Sequence, residues 1–302
     1  MKKPAVILIL ILLLIFDAIC LESTRAQSPE NSPPGIYPQS TLIQQTGNIY
    51  TLTNDTNKGF TITISGIIFD GKGHSVKRIS LQGVTNVIVK DFLIPSGAGI
   101  SISDSASISV TNNTILDCTF SSHGPSHSVS LHNSNSVLLE NNNIMRTYYG
   151  ISILGSNNNV IIGNTIETTS SPWIIYDPIA IILGGGGSSN NLFYNNNILS
   201  SYDKVIIRAG SGNRWDNGEI GNYWSDYSTR YPNATEIGNS GIGNTPYTID
   251  TNNIDRYPII IPIETPGPTP TVPELSWLIL LPLFATMLFV VLFLKHCRIK
   301  KP

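Results

Sequence analysis

The chain has 302 residues, 18 basic against 20 acidic side chains, and only 13% charged residues. A near-neutral, charge-poor chain lacks the basic stripe that nucleic-acid binding needs, so no nucleic-acid partner is expected. By count it holds 29 Asn and 44 Ile; Asn is a poor helix former and Ile a good strand former, which argues against a helical protein.

Residues 1–26 read as a secretory signal peptide. Lys2 and Lys3 form a basic start, Ala5–Phe16 is an unbroken apolar run, and Thr24-Arg25-Ala26 offers a small-residue cleavage site. Residues 27–59 fit an N-terminal cap on a central solenoid.

The middle, residues 60–210, is a repeat. Each unit holds a first strand ending at Leu81, Ile102, Leu131, Ile153 or Ile182, then a second strand marked by Val89, Val110, Leu139, Ile161 or Phe193. A closing apolar position comes next, at Ile94, Ile115, Ile144, Ile166 or Ile198. First to second strand is eight residues in four units and eleven in the last, where Gly184–Gly187 is inserted; second strand to closing Ile is five in all units. Closing positions are 21, 29, 22 and 32 residues apart, so the base period is about 22, with longer loops at Cys118–Ser126 and Ser170–Pro178. Strand-turn-strand-turn units of this length, with no helical segment between strands, predict an all-β, single-stranded, right-handed parallel β-helix of six or seven coils. Leu81, Ile102, Leu131, Ile153 and Ile182 should then stack in the interior, and Ser152, between two interior residues, should turn outward. Two residues before the closing Ile stand Asn113, Asn142, Asn164 and Asn196. At one register position they predict a hydrogen-bonded asparagine ladder.

Residues 211–261 are expected to cap the far end, since a terminal coil otherwise exposes an apolar face. They carry Trp215, Tyr223, Trp224, Tyr227, Tyr231, Tyr247 and Tyr257; a sugar-stacking platform is the competing reading of that density. A proline- and threonine-rich stalk occupies 262–274. Leu275–Leu294 is 20 uncharged residues, long enough to cross ~30 Å of hydrocarbon as a helix. Lys295, Arg298, Lys300 and Lys301 mark 295–302 as a cytoplasmic tail. The expectation is a single-pass protein of the cell membrane with its bulk outside.

Ile68-Phe69-Asp70-Gly71-Lys72-Gly73-His74 resembles the strand-and-turn opening of NosD-type parallel β-helix proteins. Trp215-Asp216-Asn217-Gly218, Gly221-Asn222-Tyr223-Trp224-Ser225-Asp226-Tyr227, Gly241–Asp250 and Asn253–Pro258 resemble that family's closing segment, so the likeness spans about 45–260. With its signal, stalk and anchor, the chain looks like the archaeal surface versions. The resemblance implies a right-handed parallel β-helix related to carbohydrate-binding and sugar-hydrolase domains, and a family name tied to copper. Similar tails are often Asp-rich in a calcium-like pattern; here that stretch is Asn239-Ser240-Gly241-Ile242-Gly243-Asn244, without carboxylates.

Three functions stand as expectations. A copper- or zinc-type site would use Cys118, His123, His127 and His132, all within fifteen residues, although the spacing matches no tetrahedral signature. A polysaccharide lyase or hydrolase would need paired carboxylates, and Asp91, Asp104, Asp117, Glu140, Glu167, Asp177 and Asp203 show no repeating same-face pair. The leading expectation is a non-catalytic module presenting a flat Ser/Asn-rich flank to extracellular glycans or other surface proteins. Asn54, Asn112 and Asn233 lie in Asn-x-Ser/Thr sequons, candidate glycosylation points of such an exterior.

Overall fold

The computed structural model describes residues 33–264 except 119, 122–123, 171–176, 201 and 203. The segments expected to be signal peptide (1–26), membrane helix (275–294) and tail (295–302) lie outside these residues. Among the described residues no helix is long and apolar enough to cross a membrane, and the one helix is the turn Tyr227–Arg230.

Strands wind into three long sheets, of eight, eight and six strands. Sheet 1 holds Gly59–Ile62, Arg78–Gln82, Gly99–Ser103, His127–His132, Tyr149–Leu154, Ile179–Gly184 and Val205–Ile207, all paired in parallel. Sheet 2 takes the second strand of each unit, from Ile49–Leu52 to Leu192–Tyr194. Sheet 3 begins at each closing Ile and runs from Leu93–Ile94 to Tyr223–Trp224. Each turn of chain therefore has three faces, where the repeat pattern showed two strands and a closing residue. In the long sheets, antiparallel pairs occur only at the start of the stack: Ile36–Tyr37 on Gly59–Ile62, and the hairpin Ile43–Thr46 with Ile49–Leu52.

Strand alternation sends one set of side chains inward on every face. On sheet 1, Ile62, Leu81, Ile102, Leu131 and Ile153 lie in register. All are fully buried, a gain of roughly 1.5–3 kcal/mol each. Ile153 then pairs with Leu183, not Ile182. Ile182 continues the outward row instead, in register with Ser152, and is nonetheless 4% exposed. This corrects the expected stack by one residue, and a one-residue slip exchanges the faces of the whole strand. Ser152 also departs from expectation. It sits on the outward row, but is 1% exposed. Ile179–Gly184 is buried along its whole length, so the outer surface of sheet 1 is closed over around these coils.

The corners explain the asparagine content. Asp91, Asn112, Asn141, Gly163 and Asn195 all have φ between 54° and 66°, the left-handed region that Asn, Asp and Gly tolerate best. The residue after each turns inward, and four of those are the predicted asparagines. Asn113 donates Nδ2–H to Asn142 Oδ1 (3.0 Å), Asn142 to Asn164 (2.9 Å), and Asn164 to Asn196 (3.0 Å). The main-chain N–H of each rung reaches the same oxygen. The ladder goes one coil further, into the segment assigned to the cap: Asn196 donates to Asn222 at 2.9 Å. A second ladder, Asn159 to Asn191 to Asn213, fills the corner before sheet 2. Beside it, Ser105, Ser134 and Ser156 accept main-chain N–H groups from the preceding coil.

Candidate functional site

The outer surface of sheet 1 has a composition of its own. The row between the two inward positions reads Thr61, Ser80, Ser101, Ser130 and Ser152, each in register with the next. Parallel strands set these hydroxyls ~4.8 Å apart. Ser101 donates to Ser80 at 3.0 Å. The Ser152 hydroxyl oxygen is buried with no hydrogen-bond partner among the described residues. Beside this row the backbones crowd together: a Cβ on Gly99 would stand 1.9 Å from the Ser128 carbonyl oxygen, and one on Gly150 would stand 2.4 Å from that of Ala180. Glycine is required at both; in the row itself Ser80 and Ser152 are buried, and Thr61, Ser101 and Ser130 are half-buried. The strands of sheet 1 carry Arg78, His127 and His132 but neither Asp nor Glu.

Carboxylates lie elsewhere. Asp70, on the outside of sheet 2, is 4% exposed. Lys90 Nζ lies 2.9 Å from Asp70 Oδ2 and 2.9 Å from Asp91 Oδ2. Burial opposes ionisation of Asp70, but the Lys90 ammonium and the Lys72 N–H hold its carboxyl below the ordinary range. Asp70 therefore does not offer the proton that glycosidic cleavage requires of one carboxyl group. Asp117 is gripped by Arg146 through two 2.9 Å bonds; Asp177 is exposed, and Asp203 is outside the described residues.

The aromatic segment is a plug rather than a platform. Trp215 and Trp224 are fully buried. Trp215 stacks on Phe193 at 4.3 Å and Trp224 on Tyr247 at 4.1 Å, closing the last coil with flat rings. Asn54, Asn112 and Asn233 are all exposed. At 239–244, Glu236 accepts from the Gly241 N–H and Asn244 bonds Thr235; these oxygens serve the loop itself.

Among the described residues Cys118, His127 and His132 do not come together. Cys118 is buried in the apolar core, and burial pushes its thiol up to about 11, so it stays protonated and is a poor soft-metal ligand. His127 and His132 stand at opposite ends of one strand, ~16 Å apart at ~3.3 Å per residue. His127 packs against Tyr149, ring centroids 5.1 Å apart. His132 pairs with Leu154 and Ser103 at the other end. His123 lies outside the described residues. Among the described residues no three His, Cys, Asp or Glu side chains converge as a metal group would need.

Comparison with family profiles matches residues 18–229 to the family described as periplasmic copper-binding protein (NosD). That match covers more than two thirds of the chain. The chain belongs to the NosD family. No curated protein and no solved structure matches it. The family description implies copper, and the donors in this NosD chain do not fit that ion: one thiol is neutral and buried, and the two described imidazoles of the cluster are held apart. What this NosD protein shares with its family is the parallel β-helix. The hydroxyl row has a sequence signal, because the residue between the two inward positions is Ser in four consecutive first strands.

Proposed function

We propose that this NosD-family β-helix is a non-catalytic module that contacts extracellular glycans through the outer surface of sheet 1. The observation that carries the reading is the in-register row Thr61, Ser80, Ser101, Ser130 and Ser152, of which Thr61, Ser101 and Ser130 are half-buried and reachable while Ser80 and Ser152 are buried, on a sheet whose strands hold no Asp or Glu. Hydroxyls both donate and accept, as sugar hydroxyls do. A ~4.8 Å repeat sets a ladder of such groups along the rod, and many weak contacts in line add through multivalency. Hydrolysis would need a proton-donating carboxyl beside those hydroxyls, and the strands that carry them supply none. The apolar segments at 5–16 and 275–294 support an exported protein tethered to the membrane, with the module outside.

The test is a panel of immobilised polysaccharides probed with the protein and with Ser101→Val. Binding to a glycan set, weakened at least several-fold in the variant, is the expected result. Release of reducing ends from any bound glycan overturns the non-catalytic role. Equal binding by both proteins removes the hydroxyl row from it.

A further inference from the structure

Sheet 2 carries a pattern that glycan contact at sheet 1 does not use. Its outward row runs Ile49, Ile68, Ile88, Ser109, Leu138, Val160, Leu192, each in register with the next. None of these side chains is buried; Ile49 is 39% and Ile88 36% exposed. The row is symmetric about Ser109, with three aliphatic residues on either side. The neighbouring row is centred on Thr111, with Lys90 one coil before it and Glu140 one coil after.

We infer that two copies of this chain pack face to face through sheet 2, with rods antiparallel and a two-fold axis along the strand Ala106–Thr111. Such an axis preserves position along the strand and reverses the order of coils. Ile88 then meets Leu138 of the second copy, Ile68 meets Val160, and Ile49 meets Leu192. Lys90 meets Glu140 twice, once on each side of the axis. The Lys90 amine lies 2.9 Å from Asp70 and Asp91 while its side chain stays 33% exposed, so Glu140 of the second copy joins an existing ion-pair network as a third carboxylate and the aliphatic rows carry the contact. With rods parallel and the axis along the aliphatic row, position along the strand is reversed instead, so Lys90 and Glu140 fall on opposite sides of that row and form no pair across the interface. The row is ~29 Å long and two rows are ~14 Å wide. That is roughly 400 Å² per partner, about half of a standard interface. The pairing is therefore weak in dilute solution and favoured where copies are crowded on a surface.

The experiment introduces Ser109→Cys in the full chain and treats it with a short bis-maleimide, suited to sheets ~10 Å apart. Ser101→Cys, on sheet 1, is the control. Cys118 is buried and protonated, and the two remaining cysteines, Cys20 and Cys297, are changed to Ser in every sample. Cross-linked dimer from Ser109→Cys and not from Ser101→Cys is expected. Added singly to the Ser109→Cys chain, Ile88→Lys and Leu138→Glu each should lower cross-linking at least tenfold. A mixture of those two variants should recover it, because lysine of one then faces glutamate of the other. Cross-linking equal to the control, or a mixture no better than either variant alone, overturns the interface.

Discussion

Asn222 donates its main-chain N–H to Asp255 Oδ2 at 2.7 Å, and this bond ends the asparagine ladder. Every rung before it offers one amide and receives another, so the last needs an acceptor and nothing more. Asp255 also takes Trp224 Nε1–H at 2.8 Å and the Tyr257 N–H at 3.0 Å. It thereby ties the final coil, the aromatic plug and the closing hairpin Tyr247–Thr248 with Ile254–Asp255 to one carboxyl group. Asp255→Ala strands three donors and should cost about 3–5 kcal/mol in urea unfolding. Asp255→Asn keeps acceptors for some of them and should cost less than Asp255→Ala; an equal loss would place the effect in packing instead.

Acid titration should expose the same group. Burial raises Asp255 to about 7 in the folded chain, above its ordinary 3.8. Folding then favours the protonated form, so its stabilising contribution is complete below about pH 4 and lost as pH rises to about 7. His127 acts in the opposite sense. Burial, with Arg208 nearby, lowers it from 6.5 to about 4, so its contribution is present above pH 6.5 and lost as pH falls toward 4. The two slopes oppose each other across most of that window. Thermal melts of the unaltered chain should vary little between pH 4.5 and 6.5. Asp255→Asn should become less stable as pH falls through that range, and His127→Phe less stable as it rises. Identical profiles for all three proteins would contradict both assignments.

The register of sheet 1 can be tested at adjacent residues. Leu183→Ser opens a hole in the inner stack and should cost about 3–5 kcal/mol. Ile182→Ser extends the row already made by Ser152, but Ile182 is itself buried, so it should cost about 2–3 kcal/mol, less than Leu183→Ser. The reverse order of melting temperatures would restore Ile182 to the interior.

Asn164 offers a test of the ladder itself. Its Nδ2 donates to Asn196 Oδ1, Leu139 O and Ile162 O, and its Oδ1 accepts from Asn142. Asn164→Ala should lose about 3 kcal/mol. Asn164→Asp is nearly the same size but has no donor, and at neutral pH it should cost at least as much. Asn157, whose Oδ1 accepts a main-chain N–H from Ser189 on a less buried corner, should tolerate Ala at about 1 kcal/mol.

Much of this architecture was legible because the repeat is strict where geometry is strict. The five-residue step from second strand to closing Ile spans one corner with one left-handed residue, and it never varies. The slip at Ile182 has a physical cause. Ile179-Ala180-Ile181-Ile182-Leu183 is apolar at both parities because both faces of that strand are buried, so alternation carries no phase there. The ladder roles of Asn222 and Asp255 are not written in the repeat, because the last rung lies 26 residues on and its acceptor 33 further, in a segment without strand periodicity. Closeness in sequence misled at His127 and His132, where one extended strand separates them by nearly its full length.

The ladder has a direction, since each rung sends its main-chain N–H and one Nδ2–H toward Asp255 and turns its Oδ1 toward Phe92, whose N–H Asn113 accepts at 3.0 Å. The two ends are therefore chemically different, and the middle is uniform. A coil duplicated between Asn142 and Asn164 would present the same acceptor to the rung before and the same donor to the rung after. The rod can thus lengthen or shorten by whole coils without redesign of either terminus, whereas moving the closing segment to the front would set acceptor against acceptor.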